Sequence, residues 1–147
     1  VEVAKAAKKM RDAGIRIQVG GHGQLQGLGT VWEMWMLTQG GMTPWEALRA
    51  GTIDGADYIG YSQDLGSLEA GKRADLVIVN GNPLENIQAT ADTAMVMVNG
   101  RLFDTSTMAE IGGQQRPAPT FFWQRAGGMS GESIGMENGP SADQDND

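Results

Sequence analysis

The residues of this 147-residue chain that could carry chemistry gather in one glycine-rich stretch. It reads Gly20-Gly21-His22-Gly23-Gln24-Leu25-Gln26-Gly27-Leu28-Gly29, it holds the single histidine of the sequence, and Thr30-Val31-Trp32-Glu33 follows it. A neutral imidazole ligates zinc, and with an unperturbed pKa of about 6.5 it also moves a proton at neutral pH. His22 is therefore the candidate metal ligand or proton carrier, and the alternative is a polar loop residue with no such role. Gln24 and Glu33 are the candidate substrate contacts, as an amide and a carboxylate close by in sequence. Glu33 has a second reading, because Thr30 and Glu33 stand at the spacing of a capping box that would start a helix. The glycines do not form a phosphate loop, since no G-K-[ST] follows them. Asp143, Asp145 and Asp147 alternate like calcium ligands, but the glycine and final glutamate of an EF-hand loop are missing.

The flanking elements must hold that stretch in place. Val3, Ala6, Ala7 and Met10 fall at i, i+3, i+4 and i+7, which predicts a helix over Val3 to Ala13 stopped by Gly14. Ile15, Ile17 and Val19 then alternate with Arg16 and Gln18, the period of a strand. If that strand runs on through Gly20, then Arg16, Gln18, Gly20 and His22 share one side. The next helix, with Val31, Trp32, Met34, Trp35, Met36 and Leu37, is apolar nearly all round and is expected to be buried. Trp32, Trp35 and Trp45 are expected in the core. Thr43-Pro44-Trp45-Glu46 predicts a further helix with its own capping box and proline in the first turn.

Downstream the punctuation is that of strands. A turn at Gly71 and Lys72 leads to a nearly continuous apolar strand from Ala74 to Val79, closed by Asn80-Gly81 and Pro83. Asp75, placed just before that strand, reads as a backbone-bonding carboxylate and not a catalyst. Ala94 to Val98, an Asn99-Gly100 turn and Arg101 to Phe103 form a hairpin of the I′ kind. Beyond Ile111 glycine, proline, serine and acids take over, and Gly127 to Asp147 reads as disordered. Phe121-Phe122-Trp123 is expected to lie as a strap over the folded body.

A net charge of −7 and a pI near 4.6 argue against nucleic acid or an anionic membrane as partner. Lys5, Lys8, Lys9 and Arg11 are the one basic cluster and read as a solvated helix face. The absence of cysteine excludes disulfides and thiolate metal sites and leaves the compartment open. No apolar run is long enough for a membrane span and nothing resembles a signal peptide, so no membrane insertion is expected and the chain reads as soluble.

The stretch Leu65-Gly66-Ser67-Leu68-Glu69-Ala70-Gly71-Lys72-Arg73-Ala74-Asp75-Leu76-Val77-Ile78-Val79 resembles the amidohydrolase superfamily pattern G-S-L-x-x-G-K-x-A-D-L-V-V-L. Trp45 to Gly60 is similar to the same family's T-P-x-E-A-L-R-A-x-T-x-N-A-A-x-x-L-G, with Asp54 and Gly55 in place of Asn-Ala. The glycine-rich stretch followed by Trp32-Glu33-Met34-Trp35 resembles the subgroup in which a β-propeller often precedes the barrel.

The resemblance implies an α/β chain: the last β/α unit of a TIM-like (β/α)8 barrel plus the C-terminal strands of the accessory β-sandwich, incomplete as an isolated chain. Residues 1–61 would close the barrel, 62–111 would supply sandwich strands, and 112–147 would be an extended, largely disordered tail. A full barrel needs about 250 residues, and the sequence begins with Val1. The expectation is a C-terminal portion of a longer protein or a product shortened at its start.

His22 then stands where the family ends its last barrel strand with a catalytic Asp, facing inward at the mouth that carries barrel active sites. The implied function is hydrolysis of carbon–nitrogen bonds in non-peptide or cyclic amides of small molecules by metal-activated water. His22 would be a metal ligand or proton shuttle, and Glu33 could offset the charge lost with the Asp. One histidine cannot supply the family's H-x-H pair. The divalent metal, with zinc the favoured ion, needs ligands outside this chain, and the chain alone is expected to be inactive. Its partner would be the missing N-terminal barrel portion, a separately encoded one, or a second copy. The alternative is a non-catalytic assembly or binding module derived from an amidohydrolase.

Overall fold

The computed structural model describes residues 1–21, 25 and 27–121. Four helices come first: α1 (Glu2–Asp12), α2 (Gly29–Gln39), α3 (Pro44–Ala50) and α4 (Ile53–Tyr58). An antiparallel sheet follows, built from β1 (Leu76–Val79), β2 (Thr93–Val98) and β3 (Arg101–Asp104) in the order β1-β2-β3, with a 3-10 helix at Ile87–Ala91 before β2.

Helix α1 forms where the apolar period placed it and stops at Gly14. The glycine takes a φ of 87°, and the N–H groups of Gly14 and Ile15 donate back to the carbonyls of Arg11 and Met10. Its buried face differs from the expected one. Val3 and Met10 are exposed, whereas Ala4 and Ala7 are buried and Lys8 and Arg11 half-buried. Close approach sets this face. A Cβ on Gly40 would lie 2.3 Å from the Ala4 carbonyl carbon, so the turn after α2 meets the α1 backbone directly. Lys8 and Arg11 are not a solvated face either, since both turn toward Glu46 at 3.8 and 3.3 Å.

Residues 15–21 form no regular strand, contrary to the alternation. A strand is defined by ladder partners, and none of the described residues supplies one; Val19 N–H donates to the Ala50 carbonyl at 3.0 Å. The parity of the segment holds in part, as Ile17 and Val19 pack against the helical core while Ile15 is exposed.

Helix α2 starts at Gly29 with Leu28 as its N-cap, which makes no side-chain cap, so the expected Thr30 capping box is not formed. A turn at Leu25, whose carbonyl accepts from Leu28 and Gly29 N–H, has already begun the helix before Thr30. Of its apolar residues Met34 and Leu37 are buried, and Trp32 and Trp45 are exposed, not core. Trp35 is half-buried, and its indole N–H donates to the Ile87 carbonyl and Thr90 Oγ1, both at 3.0 Å. The capping box at Thr43 is formed: Thr43 Oγ1 accepts from Glu46 N–H at 3.2 Å and Glu46 Oε2 from Thr43 N–H at 2.8 Å. The core joins Ala7, Met34, Leu37, Met42, Ala47 and Ala50 with Ile87 from the 3-10 helix.

Strand β1 pairs with β2 with an irregularity between Ile78 and Val79, and β2 with β3 through the Asn99-Gly100 turn, where both residues have positive φ as a I′ turn demands. Asp75 Oδ1 accepts from Asn99 N–H at 2.5 Å, the backbone-bonding role expected of it. Val77 and Ile78 are exposed. After β3 the chain continues to pair, Phe103 with Glu110 and Glu110 with Arg116. Phe122 and Trp123 of the expected strap lie outside the described residues. Among the described residues no helix is long and apolar enough to cross a membrane.

Candidate active site

The glycine-rich stretch is entered through Gly20, which is bonded to α2, and Gly21, which lies close against the start of that helix. Gly20 N–H donates to Glu33 Oε2 at 2.8 Å. A Cβ on Gly21 would come within 2.8 Å of Thr30 Oγ1 and 3.1 Å of its backbone nitrogen, so this position is closed to a side chain unless Thr30 shifts. Glu33 thus serves neither as a cap nor as an isolated surface acid; it grips the backbone two residues before His22. His22 and Gln24 lie outside the described residues.

A second set of ionisable groups escaped sequence reasoning. Asp54, with 3% of its surface exposed, receives Arg49 Nη2 at 2.7 Å and Arg11 Nη1 at 3.1 Å. Burial pushes its pKa up, but the hydrogen bonds from Arg11 and Arg49 and their charges outweigh it and hold the carboxyl below its usual value. The hydrogen bond from Thr43 N–H lowers Glu46, against burial, with Lys8 and Arg11 adding to the effect. The only trace of Asp54 in the sequence is that it replaces a residue the family pattern gives as Asn.

Asp54 opens onto a polar cleft of about 350 Å³ lined by Arg16, Arg49, Asp57, Glu69 and Lys72. Its charges are mutually satisfied. Arg16 pairs with Asp57, Arg49 with Asp54, and Lys72 with Glu69 at 3.1 Å while also donating to the Ser62 carbonyl at 2.7 Å. With cations and carboxylates in balance, the cleft ties the segment after α1 to α3, α4 and the following loop. Arg16 stands near the start of the segment that ends at Gly20–Gly21, so cleft and glycine-rich stretch are at its two ends.

A metal site needs three or more converging donors, and among the described residues no three His, Cys, Asp or Glu side chains come together. These residues by themselves do not fit a metal ion.

The profile of the amidohydrolase family matches residues 2–103, more than half of the chain. The chain belongs to the amidohydrolase family. A 5'-deoxyadenosine deaminase of Methanobrevibacter smithii is 38% identical over 74 residues, which are 48% of this chain and 17% of that protein. An imidazolonepropionase of Geobacillus kaustophilus is 60% identical over 40 residues, 27% of this chain and 9% of its own. Among solved structures a Xaa-Pro dipeptidase with methionine bound in its active site superposes with a TM-score of 0.63 at 30% identity, over 69% of this chain and 25% of the dipeptidase. The chain thus spans about a quarter or less of the length of these relatives. Its α/β arrangement is part of a TIM-barrel-like fold.

Proposed function

We propose that this chain works as the C-terminal portion of a metal-dependent amidohydrolase that cleaves carbon–nitrogen bonds in non-peptide or cyclic amides of small molecules. Residues 1–61 would complete the barrel, 62–111 would contribute strands of the accessory sandwich, and 112–147 would form the tail. The observation that carries the reading is the match of residues 2–103 to the family, with the sole histidine of the chain directly after the gripped Gly20–Gly21 backbone. Relatives named as a deaminase and an imidazolonepropionase support the carbon–nitrogen bond as the target.

His22 and ligands from outside this chain would have to hold the divalent metal, with zinc favoured by an imidazole nitrogen, and the chemistry supplied there would be a bound water with its pKa lowered to about 7. The residues present here have smaller tasks. His22 holds or moves a proton at an imidazole nitrogen, delivering it to the departing nitrogen as the carbon–nitrogen bond breaks. Gln24 and Glu33 would orient the amide.

The test uses the complete native polypeptide that carries this sequence, incubated with a panel of cyclic amides and N-acyl amines while released amine or ammonia is followed. The expected result is turnover that a chelator abolishes and zinc restores, with His22→Ala lowering the rate about a hundredfold or more. Turnover indifferent to chelation, or an H22A rate equal to wild type, would refute the reading.

A further inference from the structure

We infer that Glu33 is a positioning residue: through the Gly20 N–H it fixes the point from which the chain enters the His22 stretch, with the tight Gly21–Thr30 contact as the second half of the same clasp. The inference rests on the reading of His22 given above, but its geometry is independent of it. Two separate observations meet at this point. The 2.8 Å hydrogen bond sets a carboxylate of α2 against the backbone amide of Gly20. One residue on, the space a Cβ would occupy at Gly21 is already filled by Thr30 Oγ1 at 2.8 Å.

The clasp also has a rigid foundation. Val19 N–H is bonded to the Ala50 carbonyl at the end of α3, and Ile17 and Val19 pack on the helical core. Met34, the residue after Glu33, belongs to that core. Val19 and Gly20 are therefore held by α3 and Glu33, and Gly21 lies close against Thr30. A charged acceptor makes a stronger bond to a backbone N–H than a neutral one does. Yet this contact asks it only to accept, so a glutamine could also make it. That separates positioning from charge: if Glu33 acted by its charge on substrate or metal, glutamine would not replace it.

The experiment needs neither substrate nor metal, so its failure is read apart from failure of the catalytic reading. In the complete native polypeptide that carries this sequence the Gly20 amide is followed by hydrogen exchange, and carbethoxylation of His22 is followed by the mass of the peptide that holds it. In Glu33→Ala the Gly20 amide is expected to exchange about tenfold faster, and His22 to react about threefold faster or more. Glu33→Gln should stay close to wild type in both. Gly21→Ala, which presses on Thr30, should loosen the clasp from its other half and raise both rates too. Far-UV circular dichroism checks the fold, and if Glu33→Ala is unfolded, Gly21→Ala carries the test. Unchanged Gly20 exchange in Glu33→Ala overturns the clasp. Faster Gly20 exchange with unchanged His22 reactivity in both variants overturns positioning. Glu33→Gln behaving like Glu33→Ala overturns the acceptor role, and unfolding of both Glu33→Ala and Gly21→Ala would make the contact a global structural one and overturn the inference.

Discussion

Asp54 accepts two guanidinium hydrogen bonds while almost wholly buried, so replacing it takes the carboxylate partner from Arg49 and leaves Arg11 with Glu46 alone. Asp54→Asn should destabilise the chain by about 2 kcal/mol. That is below the 3–5 kcal/mol typical of breaking a fully buried pair, because the Arg49 side chain keeps 38% of its surface in water. Urea unfolding of the two proteins checks the value. The pH dependence has a definite sign. A carboxyl whose folded pKa is depressed contributes stability that is present above the unfolded value, near 3.8, and lost as pH falls through the lower folded value. The stability difference between wild type and Asp54→Asn should therefore be full at neutral pH and shrink below about pH 4. Local reading could not find this group, because Arg11 lies 43 residues away in sequence. Glu33 was visible as half of a capping pattern and as a candidate substrate contact, but not as a backbone acceptor. Its actual partner, the Gly20 amide, is 13 residues earlier in the chain.

Helix starts show how far local signals reach. The Thr43 box formed as read, because proline and the reciprocal Thr43–Glu46 bonds are complete within four residues. The Thr30 pattern failed because the helix had already begun at Gly29. The two threonines should accordingly separate on mutation. Thr43→Ala should cost about 1 kcal/mol of stability, and Thr30→Ala less than about 0.5 kcal/mol, measured as shifts in the denaturation midpoint. Equal losses would mean that Thr30 caps after all. The β2–β3 hairpin was legible for the reason that applies to Thr43: Asn99-Gly100 specifies its turn without help from elsewhere. The segment 15–21 was not. Its alternating pattern states which side chains face the core, and Ile17 and Val19 comply, but a strand also needs neighbours that no described residue provides.

At the scale of the whole molecule the apolar residues outnumber the places to bury them. No large side chain is fully buried among the described residues, while Trp32, Trp45, Val77, Ile78 and Val98 are all exposed. That explains why the sequence, read by periodicity, promised a tryptophan-rich core that the described fold does not contain. Under the proposed function these exposed surfaces would meet the rest of a longer amidohydrolase; the chain spans 17% of the deaminase and 25% of the dipeptidase. If these residues operate as the closing part of a larger amidohydrolase, as proposed, the intact mass of the native polypeptide that carries them shows it most directly. It is captured from its source with an antibody to the last residues and weighed by mass spectrometry. A mass several-fold above 15.6 kDa is the expected result. A mass near 15.6 kDa, with no second chain captured alongside, would contradict it.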